Sequence, residues 1–183
     1  MKKTNKTIKT IPTPDECIRI LQSVGCSDNI IWHSKTVRNL AVKIARLANA
    51  DVQLVEVGAL LHDIGRSKTH GIKHGVVGAG VARKIGLPEN IINIIEKHLG
   101  AGIPGEEAIK LGLPPRGYIP KTLEEKIVAH ADNLIENSSK QNIAEAVQKE
   151  INRGNKVLAE RMMMLHRELS KYCKTDLDNI SLD

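Results

Sequence analysis

An apolar helical run, Leu54 to Leu61, stops at His62-Asp63-Ile64-Gly65-Arg66, and this junction constrains the chain more than any other stretch. A glycine just past a periodic run is a helix-stop signal. His62 and Asp63 therefore leave the last turn of a helix together, an imidazole beside a carboxylate. Neutral imidazole nitrogen and carboxylate oxygen are both good ligands for divalent cations. Two ligands do not make a site, so the other candidates matter: His33 lies upstream, and His74, His98 and Asp132 lie downstream.

Their placement is informative. His33 has Val37 and Leu40 at i+4 and i+7. His98 has Ile94 and Ile91 at i−4 and i−7, and Asp132 lies between Val128 at i−4 and Ile135 at i+3. Apolar residues at these intervals mark the buried stripe of a helix. A polar group on such a stripe loses its water and needs a partner. One shared metal would satisfy several of these groups at once; the alternative is that each is an ordinary hydrogen-bonded residue. His130 is set two residues before Asp132 and points to another face. His70 falls in a loop, and His166 sits among Met162 and Met163, so none of these three is expected to be a ligand.

The chain reads as all-α, a compact bundle of about six to eight helices, because every periodic run has helical spacing. Residues 1–12 form a basic tail. Residues 13–174 form one domain, with the metal-site core at about 28–140, and 175–183 form an acidic tail expected to fray. Thr13-Pro14-Asp15-Glu16 is a capping box with proline at N1, opening a helix closed by Gly25. The second helix runs from Ser27 or Asp28 to about Asn49, with the stripe His33, Val37, Leu40, Ile44, Leu47. Asp51 caps the third. After a polar loop over residues 64–73, a fourth helix spans about His74 to Ile85, and Pro88 opens a fifth ending in His98. Residues 100–120 hold five glycines and four prolines, a long loop of the kind that often serves as a lid, with one helical turn near 106–111. Thr122-Leu123-Glu124-Glu125 is a second capping box. Gln141 to Tyr172 forms one or two amphipathic helices, with a break at Gly154-Asn155. The glycines at 75, 78 and 80 lack the preceding strand and the closing Lys-Ser/Thr of a phosphate loop, so close helix packing explains them better.

The order His33, His62-Asp63, His74, His98, Asp132 resembles the HD-domain superfamily of metal-dependent phosphohydrolases. Lys73-His74-Gly75-Val76-Val77-Gly78-Ala79, Gly86-Leu87-Pro88 and Glu96-Lys97-His98 look like the small bacterial members that hydrolyse dinucleoside polyphosphates, and like an uncharacterised archaeal HD family. The cyclic-dinucleotide phosphodiesterases of the superfamily carry Lys where Arg66 stands and a further His where Leu99 follows His98. The resemblance implies that His33, His62, Asp63 and Asp132 hold a first metal, and that Asp63 bridges to a second held by His74 and His98. One or two divalent ions are expected (Mn, Fe, Co, Ni, Mg or Zn, with Mn or Fe preferred). Asp63 and Arg66 are the expected catalytic residues, and Arg66, Lys68, Arg116 and Tyr118 the expected substrate contacts; Pro114-Pro115-Arg116-Gly117-Tyr118 reads equally as a structural turn, the reading slightly preferred.

Composition narrows the partners. The chain has 183 residues, a net charge of +6 and an isoelectric point near 9.3, which favours an anionic partner such as a small phosphorylated substrate, a nucleotide first of all. Nucleic acid is possible but not favoured: stacking platforms need aromatic faces, and only Trp32, Tyr118 and Tyr172 supply them. Cys17, Cys26 and Cys173 are too few and too scattered for a disulfide framework or a zinc knuckle. No secretory signal or membrane span is visible, so the cytoplasm is the expected compartment; a homodimer is possible. Two other classes stay open: a di-iron HD-type oxygenase with nearly the same ligands, and a non-catalytic helical binding module, with RNA as one candidate partner.

Overall fold

Thr13 sets the first helix as its sequence dictates. Its hydroxyl accepts from the Glu16 N–H at 3.3 Å, and the Glu16 carboxylate accepts from the Thr13 N–H at 2.7 Å. In the computed structural model, which describes residues 10–182, this helix is α1 (Pro14–Val24), closed by Gly25 at φ 89°. There follow α2 (Asp28–Leu47), α3 (Val52–Leu61), α4 (His74–Ile85), α5 (Glu89–Lys97), α6 (Gly105–Lys110), α7 (Leu123–Asn133), α8 (Ile143–Asn152) and α9 (Lys156–Cys173). Asp51 caps α3 by accepting from the Leu54 N–H at 3.0 Å. The fold is all-α, as the periodicity predicts. Short α6 and the division of the C-terminal segment at Gly154-Asn155 bring the described α-helices to nine.

The centre of the bundle is α3, which touches α1, α2, α5 and α7. Its Leu54, Val55, Val57, Ala59, Leu60 and Leu61 are all buried. Two glycines fix how neighbours reach it. A Cβ on Gly58 would come within 2.7 Å of Ile94 Cδ1, so α5 lies directly on α3 at that point. A Cβ on Gly65 would fall 1.9 Å from the His74 carbonyl oxygen and 2.6 Å from the Gly78 nitrogen. Gly65 lies in a 3₁₀ turn, Ile64–Ser67, and its lack of a side chain lets that turn rest on the backbone of α4. A Cβ on Gly75 would lie 3.1 Å from the Glu96 carbonyl oxygen and one on Gly78 2.9 Å from Ile95 Cγ2, both on α5, whereas a Cβ on Gly80 would meet nothing within 4 Å. Close packing thus accounts for the first two of that run.

Several expectations are corrected. A two-stranded antiparallel ribbon, β1 (Ile135–Glu136) with β2 (Ser139–Lys140), follows α7; two residues are too few to show an alternating pattern. Residues 175–182 do not fray: Leu177 and Ile180 are buried against the core, and the Asp178 carboxylate accepts from the Ile143 N–H at 3.1 Å at the start of α8. Leu47, placed on the buried stripe of α2, is half exposed at 50%, because the helix ends there. Thr122 caps α7, but the Glu125 carboxylate accepts from the Lys121 N–H instead of completing the box. The loop after His98 carries its own small core of Ile103, Ala108, Leu113 and Tyr118. Only residues 10–12 of the basic tail fall within the described part. Among the described residues, no helix is long and apolar enough to cross a membrane.

Candidate metal centre

The ends of α3 and α5 bring the histidines together. His62 follows the last residue of α3 and His98 the last residue of α5. Helix ends leave their final carbonyls without partners. Here the side chains supply them: His62 Nδ1 donates to Ala59 O at 2.7 Å, and His98 Nδ1 donates to Ile95 O at 2.8 Å. His74, the first residue of α4, does likewise with Gly71 O at 2.9 Å. A carbonyl can only accept, so in each neutral ring the proton sits on Nδ1 and Nε2 presents a lone pair.

All three lone pairs face oxygens or one another. His62 Nε2 lies 3.3 Å from Asp132 Oδ1 and 3.6 Å from Asp63 Oδ2. His74 Nε2 lies 3.2 Å from Asp63 Oδ1, His98 Nε2 lies 3.6 Å from the same oxygen, and the two Nε2 atoms are 3.0 Å apart. His33 Nε2 stands 2.9 Å from Asp132 Oδ1 at the more open side. Asp63 thus turns one oxygen to His62 and the other to His74 and His98. His62 Nε2 and Asp63 Oδ1 are buried with no hydrogen-bond partner among the described residues. Acceptors crowded in this way repel unless a cation lies between them. The donor set of imidazole nitrogens and carboxylate oxygens is that of a divalent metal site, and the partially negative C-termini of α3 and α5 favour a cation further. His33, His62 and Asp132, and again His62, Asp63 and His98, offer ligand atoms all within 4.8 Å of one another.

The electrostatics make the cluster a seat for positive charge, whether a proton on His62 or a metal ion that displaces it. Burial opposes charge on His62, but the carboxylates of Asp63 and Asp132 outweigh it and raise its pKa to about 9. Burial likewise opposes ionisation of Asp63 and Asp132, yet the imidazole of His62 above all holds both carboxyls well below the ordinary range. Burial depresses His98, which keeps its ring neutral, the form that binds metal.

The expected substrate contacts separate. Arg66 stays at the site: its Nε donates to Asp63 Oδ2 at 2.6 Å, and the side chain remains partly exposed. Lys68 reaches away, donating to Val24 O at the end of α1 at 3.2 Å. Arg116 pairs with Glu96 at 2.6 Å, and Tyr118 is 1% exposed with its hydroxyl donating to Pro114 O. The structure does not bring these last three to the cluster. His130 and His166 meet each other at 3.0 Å, and His166 reaches Asp176, away from the six candidate ligands.

A cavity of about 530 Å³ opens over the cluster. One wall is α2, through Asn29, Trp32 and His33; another is the turn after α3, through Asp63, Arg66 and His70; the third is the ribbon tip, Asn137 and Ser138. Trp32, Asn29 and the tip carry no sign in the periodicity. The one available signal was the position of the only tryptophan, directly before His33.

Comparison with known proteins fits this geometry. The HD domain family matches residues 30–137, a stretch holding all six candidate ligands. A tRNA (cytidine(56)-2'-O)-methyltransferase of Thermoplasma volcanium is 47% identical over 175 residues, covering 96% of this chain but 52% of that protein. The chain thus spans about half the length of that relative. The uncharacterized protein MJ0778 of Methanocaldococcus jannaschii is 45% identical over 167 residues, 87% of this chain and 98% of that one. Among solved structures, the HD domain of the L. monocytogenes phosphodiesterase PgpH, in complex with cyclic-di-AMP, shares the fold with TM-score 0.56 at 18% identity, covering 84% of this chain and 96% of that one. With its histidine–aspartate cluster seated on these helices and the match running across them, the chain belongs to the HD domain family.

Proposed function

We propose that this chain is a metal-dependent phosphohydrolase that cleaves a phosphate ester or phosphoanhydride of a nucleotide, free or within RNA. The observation that carries the reading is the buried ring of acceptors around Asp63 with Arg66 hydrogen-bonded to it. His33, His62, Asp63 and Asp132 would hold one divalent ion, and Asp63, His74 and His98 a second. Such ions supply Lewis acidity and an activated water at neutral pH. The chain's own part is to hold the ligands in one tautomer, to keep Asp63 ionised, and to aim a guanidinium at the phosphate. Arg66 spends its Nε on Asp63 and reaches His70 O through Nη1 at 3.5 Å, which fixes the plane of the group and leaves Nη2 to donate to phosphate oxygens. Mn or Fe is the preferred metal.

The tRNA methyltransferase name belongs to a protein about twice as long, so methyl transfer need not reside in the shared half. That name does support RNA as the setting of the substrate. The residues gathered in this half suit metal-ligand chemistry, and a guanidinium beside them suits phosphate. The test is metal analysis of the purified protein, then a panel of phosphomonoesters, phosphodiesters and nucleoside polyphosphates with added Mn²⁺ or Fe²⁺. Chelator-sensitive release of phosphate or nucleotide is expected. Oxygen consumption by an iron-loaded protein that hydrolyses none of them would replace the reading with an oxygenase.

A further inference from the structure

The cavity over the metal cluster has a wall that the hydrolytic reading does not use. Trp32, the chain's only tryptophan, is 64% exposed and lines this cavity beside His33. Large aromatic side chains are buried on average, and leaving an indole face in water forfeits favourable burial. Across the cavity, the turn joining β1 to β2 presents Asn137 and Ser138, both in the left-handed region at φ 48° and 61°. Two successive positive φ values are the requirement of a tight hairpin turn whose second position is ordinarily glycine, so a serine there is strained. Strain of this kind tends to be retained where a site needs it. Among the described residues, the side chains of Asn29, Asn137 and Ser138 have no hydrogen-bond partner. Two amides and a hydroxyl therefore stand free around one exposed indole, with Arg66 at the floor of the same cavity.

We propose that this cavity is a nucleobase subsite: the base stacks on Trp32, its polar edge is read by Asn29 and the Asn137-Ser138 tip, and its phosphate points to Arg66. The proposal rests on the phosphohydrolase reading and names the part of the substrate that reading leaves open. A π-face is shared by all bases, so stacking alone tolerates any of them. Free amides both donate and accept, which suits the mixed edge of a base better than a sugar or an alkyl chain. The volume of about 530 Å³ lies within the range of small-molecule sites. A free nucleotide and a terminal nucleotide of an RNA strand share this chemistry, and the arms of the test separate them.

Because Trp32 is the only indole, its fluorescence reports this wall alone. The metal-chelated wild-type protein is titrated with the four nucleoside monophosphates, a short oligoribonucleotide and ribose 5-phosphate, with correction for absorbance. Saturable quenching by mononucleotides or by the oligoribonucleotide, and none by ribose 5-phosphate, is the expected result; whichever of the first two binds tighter identifies the source. Equal response to ribose 5-phosphate, or no response to any nucleotide, overturns the proposal. In the metal-loaded enzyme, Trp32→Ala should lower the ratio of kcat/KM for a nucleotide over ribose 5-phosphate by roughly tenfold, the size of one stacked base. Trp32→Phe should restore most of it, and an unchanged ratio in the alanine variant would also overturn the proposal. Quenching without turnover would support the subsite while counting against hydrolysis.

Discussion

The Nε2 atoms of His74 and His98 lie 3.0 Å apart, and each ring has already committed its Nδ1 proton to a backbone carbonyl. Two lone pairs at that distance need a proton or a metal ion between them, and Asp63 Oδ1 faces both. The expected outcome is two metals per chain. Replacing His74 and His98 together by Ala should halve the metal measured by elemental analysis and leave the ion held by His33, His62, Asp63 and Asp132. Unchanged stoichiometry with lost activity would mean a one-metal centre.

Asp63 shares its two oxygens between the two ligand groups, so its loss should empty both. Asp63→Ala is expected to bind little or no metal and to show no measurable turnover. The far-UV circular dichroism should stay that of the wild type, because α3 keeps its apolar stripe. A variant that binds metal and turns over normally would remove Asp63 from the site.

Arg66→Ala should retain metal but lose roughly 100-fold in kcat, the cost of removing one preorganised donor from a developing anion. Arg66→Lys should recover only part, since an ammonium cannot hold Asp63 and phosphate with one planar fork. Steady-state kinetics on the best substrate of the panel decide this.

Gly65→Ala places a methyl group where the His74 carbonyl oxygen lies. Backbone must shift on one side or the other. A loss of about 1–3 kcal/mol in urea unfolding is expected from overpacking of this kind. Reduced metal content should accompany it, because the shift moves the start of α4 and with it His74. A variant as stable and as metal-rich as the wild type would contradict the close approach.

Cys17 gives a pH dependence. Burial, reinforced by Glu16 and Glu56, pushes its thiol up to about 12 from an ordinary 9.0. A raised folded pKa means that the unfolded chain loses this proton first. Its contribution is fully present below about pH 9 and is lost as pH rises towards 12, by about 1.4 kcal/mol per unit. Unfolding curves between pH 8 and 11 should therefore fall more steeply for the wild type than for Cys17→Ala. At neutral pH the folded thiol should resist a disulfide reagent that modifies the unfolded chain quickly.

The sequence was most legible where a residue's local role and its long-range role coincide. Thr13, Asp51 and Gly25 mark helix ends through their own hydrogen bonds or backbone angle, so those boundaries could be read directly. His33, His98 and Asp132 could be singled out because polar groups on apolar stripes are costly, and the fold does gather them. Other features depend on what lies across a gap. Periodicity tells which face of α2 is buried, not that a cavity opens beside Trp32. The ribbon at Ile135–Lys140 is too short for any pattern, and its tip matters only because it closes that cavity. Tyr118, in the long loop, reads either as a substrate contact or as part of a structural turn, and the loop folds around it as an apolar anchor. The acidic composition after Lys174 hid two well-spaced apolar residues, Leu177 and Ile180, that dock on the core.

The imidazoles of His62 and His98 close the last turns of the very helices that carry them. Fraying of either end would free the ring to rotate and to move its proton, so the ligand would be lost before the helix melts. Release of metal and opening of these last turns then become a single event with a single free energy. Amide protons at the ends of α3 and α5 would exchange at a rate set by metal concentration, while those in the middle of the same helices would ignore it. The centre would thus report its own occupancy in the breathing of two helix ends.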